Sequence, residues 1–488
     1  EHYEEFRETS LPNSVVPSLV FNPLPPGFSI TEEQKKVRFS KLKGVKMPAN
    51  KDELAFYTVR ELAELIRTKQ ISSVELTRFF LDRLKKYDEQ LKCVVTLTED
   101  RALKMAQKAD REIASGNYKG LLHGIPYGAK DLFAVKGYPT TWGAMPYKEQ
   151  MLDYDATVIQ KLDQAGAVLL AKMTMGALAR GDVWFGGKTR NPWNLEQGSS
   201  GSSAGSASAV AAGLLPFALG TETMGSIVSP STRCGATGLR PTFGRVSRNG
   251  AMALSWTMDK VGPICRSVED CAIVFEVIRG VDGKDPTLMA APFNYDVRKD
   301  PKKLRVGYLK SAFEGDYAFK TQDSLALETM KKLGFELIPI ELPESANLRP
   351  VLTAESAAAF DELTRSNRDD LLTRQDANSW PVTFRMARFI PAVEYIQANR
   401  LRTKLIAEMD EVMQGIDVYL NPSWNGPSLR ITNYTGHPCV VVPNGFVEGS
   451  PTSITFTGSL FGEADLLSVA KAFQEATEFH EKHPDEFK

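Results

Sequence analysis

The sequence predicts an α/β protein, and three observations carry that prediction. Apolar residues recur at helical spacing in some stretches, as at Leu62, Leu65 and Ile66 and again at Leu76, Phe79, Phe80 and Leu84. Short, nearly continuous apolar runs such as Cys93–Leu97 and Ala167–Lys172 read as buried strands. The two kinds of segment alternate along the chain with no fixed-period repeat and no convincing linker, so residues 53–488 read as one large domain.

Each element has its own signal. Thr58 with Glu61, and Ser72 with Glu75, match the capping box, in which side chains satisfy the free N–H groups of a helix start. A strand at Cys93–Leu97 is followed by a helix that ends near Gly116. Leu304–Leu309, a helix near 323–333 and Phe335–Ile340 read as a β-α-β unit, and 355–412 as mainly helical. Val418–Leu420, Cys439–Val442 and Ser453–Phe456 read as late strands, before a final helix over about 464–480.

Residues 1–52 read differently, as an N-terminal arm and connector. Pro12, Pro17, Pro23, Pro25 and Pro26 predict an extended arm, because proline fixes φ and removes a backbone donor. Val15, Val16, Leu19, Val20 and Phe21 suggest that it lies against the body, while the lysine-rich 33–52 reads as a solvated connector. The first residue is Glu1, which a cleaved export signal or a trimmed tag would explain, with export the expectation.

Composition narrows the function classes. Lys plus Arg is 59 and Asp plus Glu 60, a balance of −1 that argues against a dedicated nucleic-acid binder. A mean hydropathy of −0.24 argues against a polytopic membrane protein. The five cysteines are scattered with no CxxC pair, so buried free thiols are expected and neither a disulfide framework nor a zinc site. Of the five histidines, only His123 and His437 lie away from the termini, so any histidine-based catalysis must use one of them.

The most informative stretch is the run Gly198-Ser-Ser-Gly-Ser-Ser-Ala-Gly-Ser-Ala-Ser208. An isolated run of this kind reads as a flexible linker. This one flows into the apolar Ala209–Leu219, with no charged residue from Gly198 to Thr221, so a buried turn feeding a helix is expected instead. A dinucleotide loop is unsupported, since GxGxxG is absent. The P-loop look-alike ending at Lys188-Thr189 is one residue too long, with Asp182 where its first glycine belongs. Gly201-Ser-Ser203-Ala-Gly205 does match the G-x-S-x-G elbow, which leaves open an esterase using Ser203 and His437. A further pattern surrounds the run. Gly124-Ile-Pro-Tyr-Gly-Ala-Lys130-Asp131 lies upstream, where an apolar setting could desolvate Lys130 and make it a usable base. Gly220-Thr-Glu-Thr-Met-Gly225-Ser226-Ile227 and Cys234-Gly-Ala-Thr-Gly-Leu-Arg-Pro lie downstream.

These motifs, with Asn433-Tyr-Thr-Gly-His-Pro438 and Val441-Val-Pro-Asn-Gly-Phe446, resemble those of the amidase signature family over roughly residues 53–488. The resemblance implies a single large domain whose mixed central β-sheet is covered by helices on both faces. It implies amide hydrolysis through an acyl-enzyme, with Ser226 as nucleophile, Ser202 as a bridging serine after a cis peptide bond, and Lys130 as terminal base. The backbone N–H groups of Thr223, Met224, Gly225 and Ser226 become the expected oxyanion hole. Met224 stands where the family usually has glycine, and its side chain could enter the acyl pocket. Val228 stands where many members have arginine, and the acidic residue often found near Met175–Ala177 is missing. Asp131 is expected to be a structural hydrogen-bonder, while Ser203, Ser206 and Ser208 are read as turn and helix packing. Trp142, Trp184 and Phe185 could line an apolar pocket.

The expected function is therefore a stand-alone amidase acting on a small, uncharged or hydrophobic amide, with ester or carbamate cleavage also open. The alternative is the glutamine-hydrolysing A subunit of an aminoacyl-tRNA amidotransferase, and the esterase is a second one. No cofactor and no metal are expected. The expected partner is a small-molecule amide, with no nucleic acid and no membrane, in a monomer or homodimer.

Overall fold

Both capping boxes form as the sequence predicts. The Thr58 hydroxyl accepts the Glu61 N–H at the start of the helix Val59–Arg67, and Ser72 does the same for Glu75 at Ser73–Leu91. The computed structural model describes residues 12–15, 18–30 and 33–488. Among these described residues the chain forms fifteen strands. β1 is Val94–Leu97, β2 Pro126–Lys130, β3 Val168–Met173, β4 Val183–Trp184, β5 Gly187–Lys188, β6 Arg190–Asn191, β7 Asn194–Gly198 and β8 Phe217–Glu222. β9 is Thr237–Arg240, β10 Lys260–Cys265, β11 Val306–Leu309, β12 Leu337–Ile340, β13 Val418–Pro422, β14 Cys439–Val447 and β15 Ser450–Gly458.

Eleven of these strands make one mixed sheet, in the order β1-β3-β2-β8-β10-β9-β14-β15-β13-β11-β12. β2 lies between β3 and β8 and is parallel to both, and β11 is parallel to β12 and β13. The remaining ladders are antiparallel. Helices flank both faces, so β2, β3, β8 and β10 are buried along their whole length. That burial explains their near-continuous apolar runs. The β-α-β unit is confirmed: β11 and β12 pair in parallel around the helix Lys320–Lys332. β4 with β5, and β6 with β7, form two small hairpins, and the P-loop look-alike lies across the first of them. All five cysteines are buried and free.

The described part of the N-terminal arm lies against the body as expected, but not through all the residues expected to do so. Val15, Leu19 and Val20 do not pack; they are 48%, 64% and 52% exposed. An extended single chain shows only part of its surface to the body, and of the apolar residues named it is Phe21 that makes the contact, with two prolines. The Phe21 ring meets Phe243 edge-on at 5.1 Å and lies under the Arg402 guanidinium, while Pro23 and Pro25 are buried. Nor is 33–52 a solvated connector throughout: Val37, Phe39, Val45 and Met47 pack on the core, and the backbone of Arg38 pairs with Tyr295 and Val297. Glu1, His2, Val16 and Pro17 lie outside the described residues.

Candidate active site

The Gly/Ser run is a buried turn that feeds the helix Ala204–Ala211. Gly201 is required there, because a Cβ would collide with the Gly181 carbonyl oxygen. The peptide bond from Gly201 to Ser202 is cis. β2 and β8 are parallel neighbours, so their carboxyl ends open at the same edge of the sheet, where ligands of α/β sheets bind. Lys130 is the last residue of β2, and the segment 223–226 follows the end of β8 beside it.

Lys130 is fully buried in a nest of hydroxyl groups. Its Nζ lies 2.8 Å from Ser202 Oγ, 2.9 Å from Thr221 Oγ1 and 3.1 Å from Ser203 Oγ. Burial drives its pKa down to about 7 against the smaller opposing pull of Asp259 and Glu222. A substantial neutral fraction is therefore available near neutral pH, and a neutral amine can accept a proton. Ser203 cannot offer one, because its hydroxyl already donates to the Thr221 carbonyl at 3.1 Å. Ser202 Oγ has Lys130 as its hydrogen-bond partner among the described residues, so its own proton is uncommitted. The Ser203 N–H donates to the Ser226 carbonyl at 3.1 Å, which ties the two serine-bearing turns together. Ser226 Oγ makes no hydrogen bond among the described residues.

The turn between β8 and the helix Val228–Cys234 has the form an oxyanion hole needs. Gly225 has φ +98°, which favours glycine, and none of the N–H groups of Thr223, Met224, Gly225 and Ser226 is taken by an acceptor among the described residues. Two carboxylates fix this turn. Glu222 accepts the N–H groups of Ile227 and Val228 at 2.9 and 3.0 Å, and it also pairs with Arg240 at 2.6 Å and Asn433 at 2.8 Å. Burial pushes its pKa up, but Arg240 and the other donors overcome that and hold it down at about 2. Asp259 accepts the Thr223 hydroxyl at 2.6 Å and the N–H groups of Leu254 and Ser255.

The structure thus gathers Lys130, Ser202, Ser226 and the four expected N–H donors at one place. Asp131 is structural, as expected: it pairs with the buried Lys172 at 2.8 Å and accepts from Thr141. Several expectations change. Ser203 does more than pack a turn, since it contacts Lys130 directly. The Met224 side chain packs against the hydrophobic cluster that contains Met258, Ile431 and Tyr434. Val228 packs with Cys439 and Val441. Trp142 lines a groove, whereas Trp184 and Phe185 contact each other edge-on. His437 does not support the esterase: its Nδ1 bonds to Thr435 Oγ1 at 2.8 Å, and burial, then Arg240, holds its pKa down at about 3. Among the described residues no group of His, Cys, Asp and Glu could hold a metal ion. No helix among them is long and apolar enough to cross a membrane.

Thr221, Glu222, Arg240, Asn433 and Asp259 were not foreseen. Glu222 had a visible signal: it is the single charged residue between Glu196 and Arg233, inside a buried strand. Such a carboxylate needs a partner, which Arg240 supplies.

The comparisons place this α/β chain among enzymes that act on carbon–nitrogen bonds. The chain belongs to the amidase family, whose model matches residues 75–435. It is 33% identical over 478 residues to the A subunit of the glutamyl-tRNA(Gln) amidotransferase from Dechloromonas aromatica, a match covering 88% of this chain and 98% of the relative. The peptide amidase of Stenotrophomonas maltophilia superposes with a TM-score of 0.79 at 29% identity, over 88% of this chain and 98% of that one. An amidase family protein from Bacillus anthracis also gives 0.79, at 28% identity, over 87% and 92%.

Proposed function

We propose that the chain hydrolyses a carboxamide through an acyl-enzyme on Ser226, with Ser202 and Lys130 as its proton relay. The observation that carries this reading is the neutral-prone Lys130 amine, 2.8 Å from a serine whose proton is uncommitted. Ser226 Oγ attacks the carbonyl carbon as its proton passes to Ser202 and the Ser202 proton passes to Lys130. The Ser226–Ser202 hydrogen bond closes on substrate binding, as catalytic hydrogen bonds commonly do. The N–H groups of residues 223–226 receive the developing oxyanion, where one donor is typically worth about 3–4 kcal/mol. The relay then runs backwards. Lys130 returns a proton through Ser202 to the nitrogen, the C–N bond breaks, and an amine or ammonia leaves. Water repeats the cycle on the Ser226 ester and releases the acid.

Two substrate readings share this chemistry. The relatives at 31–33% identity support the glutamine-hydrolysing amidotransferase component more directly than a stand-alone enzyme. The similarity to a peptide amidase supports a free-standing amide hydrolase. Ammonia release by the purified chain from glutamine and from propionamide, followed across pH, tests both. In either case kcat/KM rises with pH along a limb centred near 7, because the base must be neutral and protonation of Lys130 removes it. A profile flat from pH 5.5 to 9 contradicts the lysine relay. Turnover of propionamide without further protein components favours the free-standing enzyme. Activity confined to glutamine favours the amidotransferase component.

A further inference from the structure

Two cavities meet near the site, and the N-terminal arm stands between them. The inner one holds about 80 Å³ and is lined by Leu132, Thr221, Thr223 and Met252, so it reaches the residues that contact Lys130 and the expected oxyanion turn. The outer one is a groove of about 450 Å³, lined by Trp142, Tyr147, Tyr154 and Phe360. Asn13, Ser14 and residues 250–252 line both, and so form their common wall.

Asn13 is what fixes the arm in that wall. Its carboxamide pairs with both backbone groups of Ala253: Nδ2 donates to the carbonyl at 2.8 Å, and Oδ1 accepts the N–H at 2.7 Å. Nδ2 also reaches the Ala359 carbonyl at 3.4 Å, at the end of the helix Arg349–Ala359. One side chain therefore holds the loop that walls the inner cavity to the helix that walls the outer groove. Asn13 precedes the segment matched by the family model, whereas residues 250–252 lie within it, so the arm completes a wall that the matched segment begins.

We propose that Asn13 is a specificity-determining residue, which closes the inner cavity against the outer aromatic groove and restricts the site to compact amides. The inference rests on the amide-hydrolase reading above. An apolar cavity of about 150 Å³ accommodates benzene, so the inner cavity, at about 80 Å³, favours a compact group over a phenyl ring. With the wall opened, the aromatic groove becomes continuous with it and receives an extended aryl substituent.

Wild type, Asn13→Ala and Asn13→Asp are compared on propionamide, 6-phenylhexanamide and N-(4-phenylbutyl)propionamide, which extend the amide on neither side, the acyl side and the nitrogen side. Asn13→Ala removes the side chain that ties the wall together, and Asn13→Asp keeps its size but turns both donated contacts into repulsions with carbonyl oxygens. Both variants raise kcat/KM for one phenyl-extended amide about tenfold or more, a typical value for freed pocket space. Propionamide stays within about threefold of wild type. An unchanged ratio of extended to compact amide, or a parallel fall of both, overturns the partition while leaving the amide reading intact. Absence of turnover of these amides and of glutamine by wild type overturns the amide reading, and the partition with it.

Discussion

Replacing Lys130 by methionine lowers amide kcat/KM by about 10²–10⁴-fold, the range expected when a positioned general base is lost. The remaining turnover no longer rises through pH 7, because the group responsible for that limb is gone. A second signature separates this from simple misfolding. The Lys130 pKa falls from its ordinary 10.5 to about 7 on folding, so the unfolded chain binds more protons between those values. Stability of the wild type from this group therefore rises with pH from about 7 towards 10.5. It is lost as pH falls back through 7. The variant lacks this contribution, so denaturant titrations at pH 7 and pH 9.5 differ less for it than for the wild type. Full retained amide turnover contradicts the role assigned to Lys130.

Glu222→Gln has the largest expected effect on stability. Glu222 and Arg240 are both fully buried, and Arg240 also donates to Thr432 Oγ1 and the His437 carbonyl. Removing the charge of Glu222 leaves a buried guanidinium uncompensated, which costs about 3–5 kcal/mol. The wild-type contribution has the same pH sense as that of Lys130 but lies in a lower pH window. The Glu222 pKa is lowered from 4.5 to about 2, so its stabilisation is present above about 4.5 and lost as pH falls through 2. Activity falls with stability, because the same carboxylate holds the N–H groups that follow the 223–226 turn. Equilibrium denaturation at pH 7, paired with turnover of the folded fraction, checks both effects. A variant with unchanged stability contradicts the account of this pair.

Local signals in the sequence are the ones that were legible. The two capping boxes, the β-α-β unit around 320–332 and the buried turn at 198–208 all lie within a few residues of the evidence for them. The partners of Lys130 do not: Ser202, Ser203 and Thr221 lie 72, 73 and 91 positions away, and only the adjacency of β2 and β8 brings them together. The motifs marked Lys130, Ser202 and Ser226 through a family resemblance. They gave no reason for Ser203 to be unable to serve as the relay, which follows from its hydrogen bond to the Thr221 carbonyl. β8 escaped recognition because Phe217–Glu222 carries a glycine and a carboxylate within a fully buried strand. That the arm lies against the body was legible, but not which residues hold it there, because apolar composition alone does not say which side of an extended chain meets the body. Its contacts came from Asn13, Phe21 and two prolines.

The central claim is that Ser226 forms the covalent intermediate and that the neighbouring serines do not. Intact-protein mass spectrometry after reaction with a fluorophosphonate, followed by peptide mapping, tests it most directly. A single adduct on Ser226, lost in Ser226→Ala and retained in Ser203→Ala, is the predicted result. An adduct that maps to Ser203 or Ser202 in the wild type, or that survives in Ser226→Ala, contradicts it.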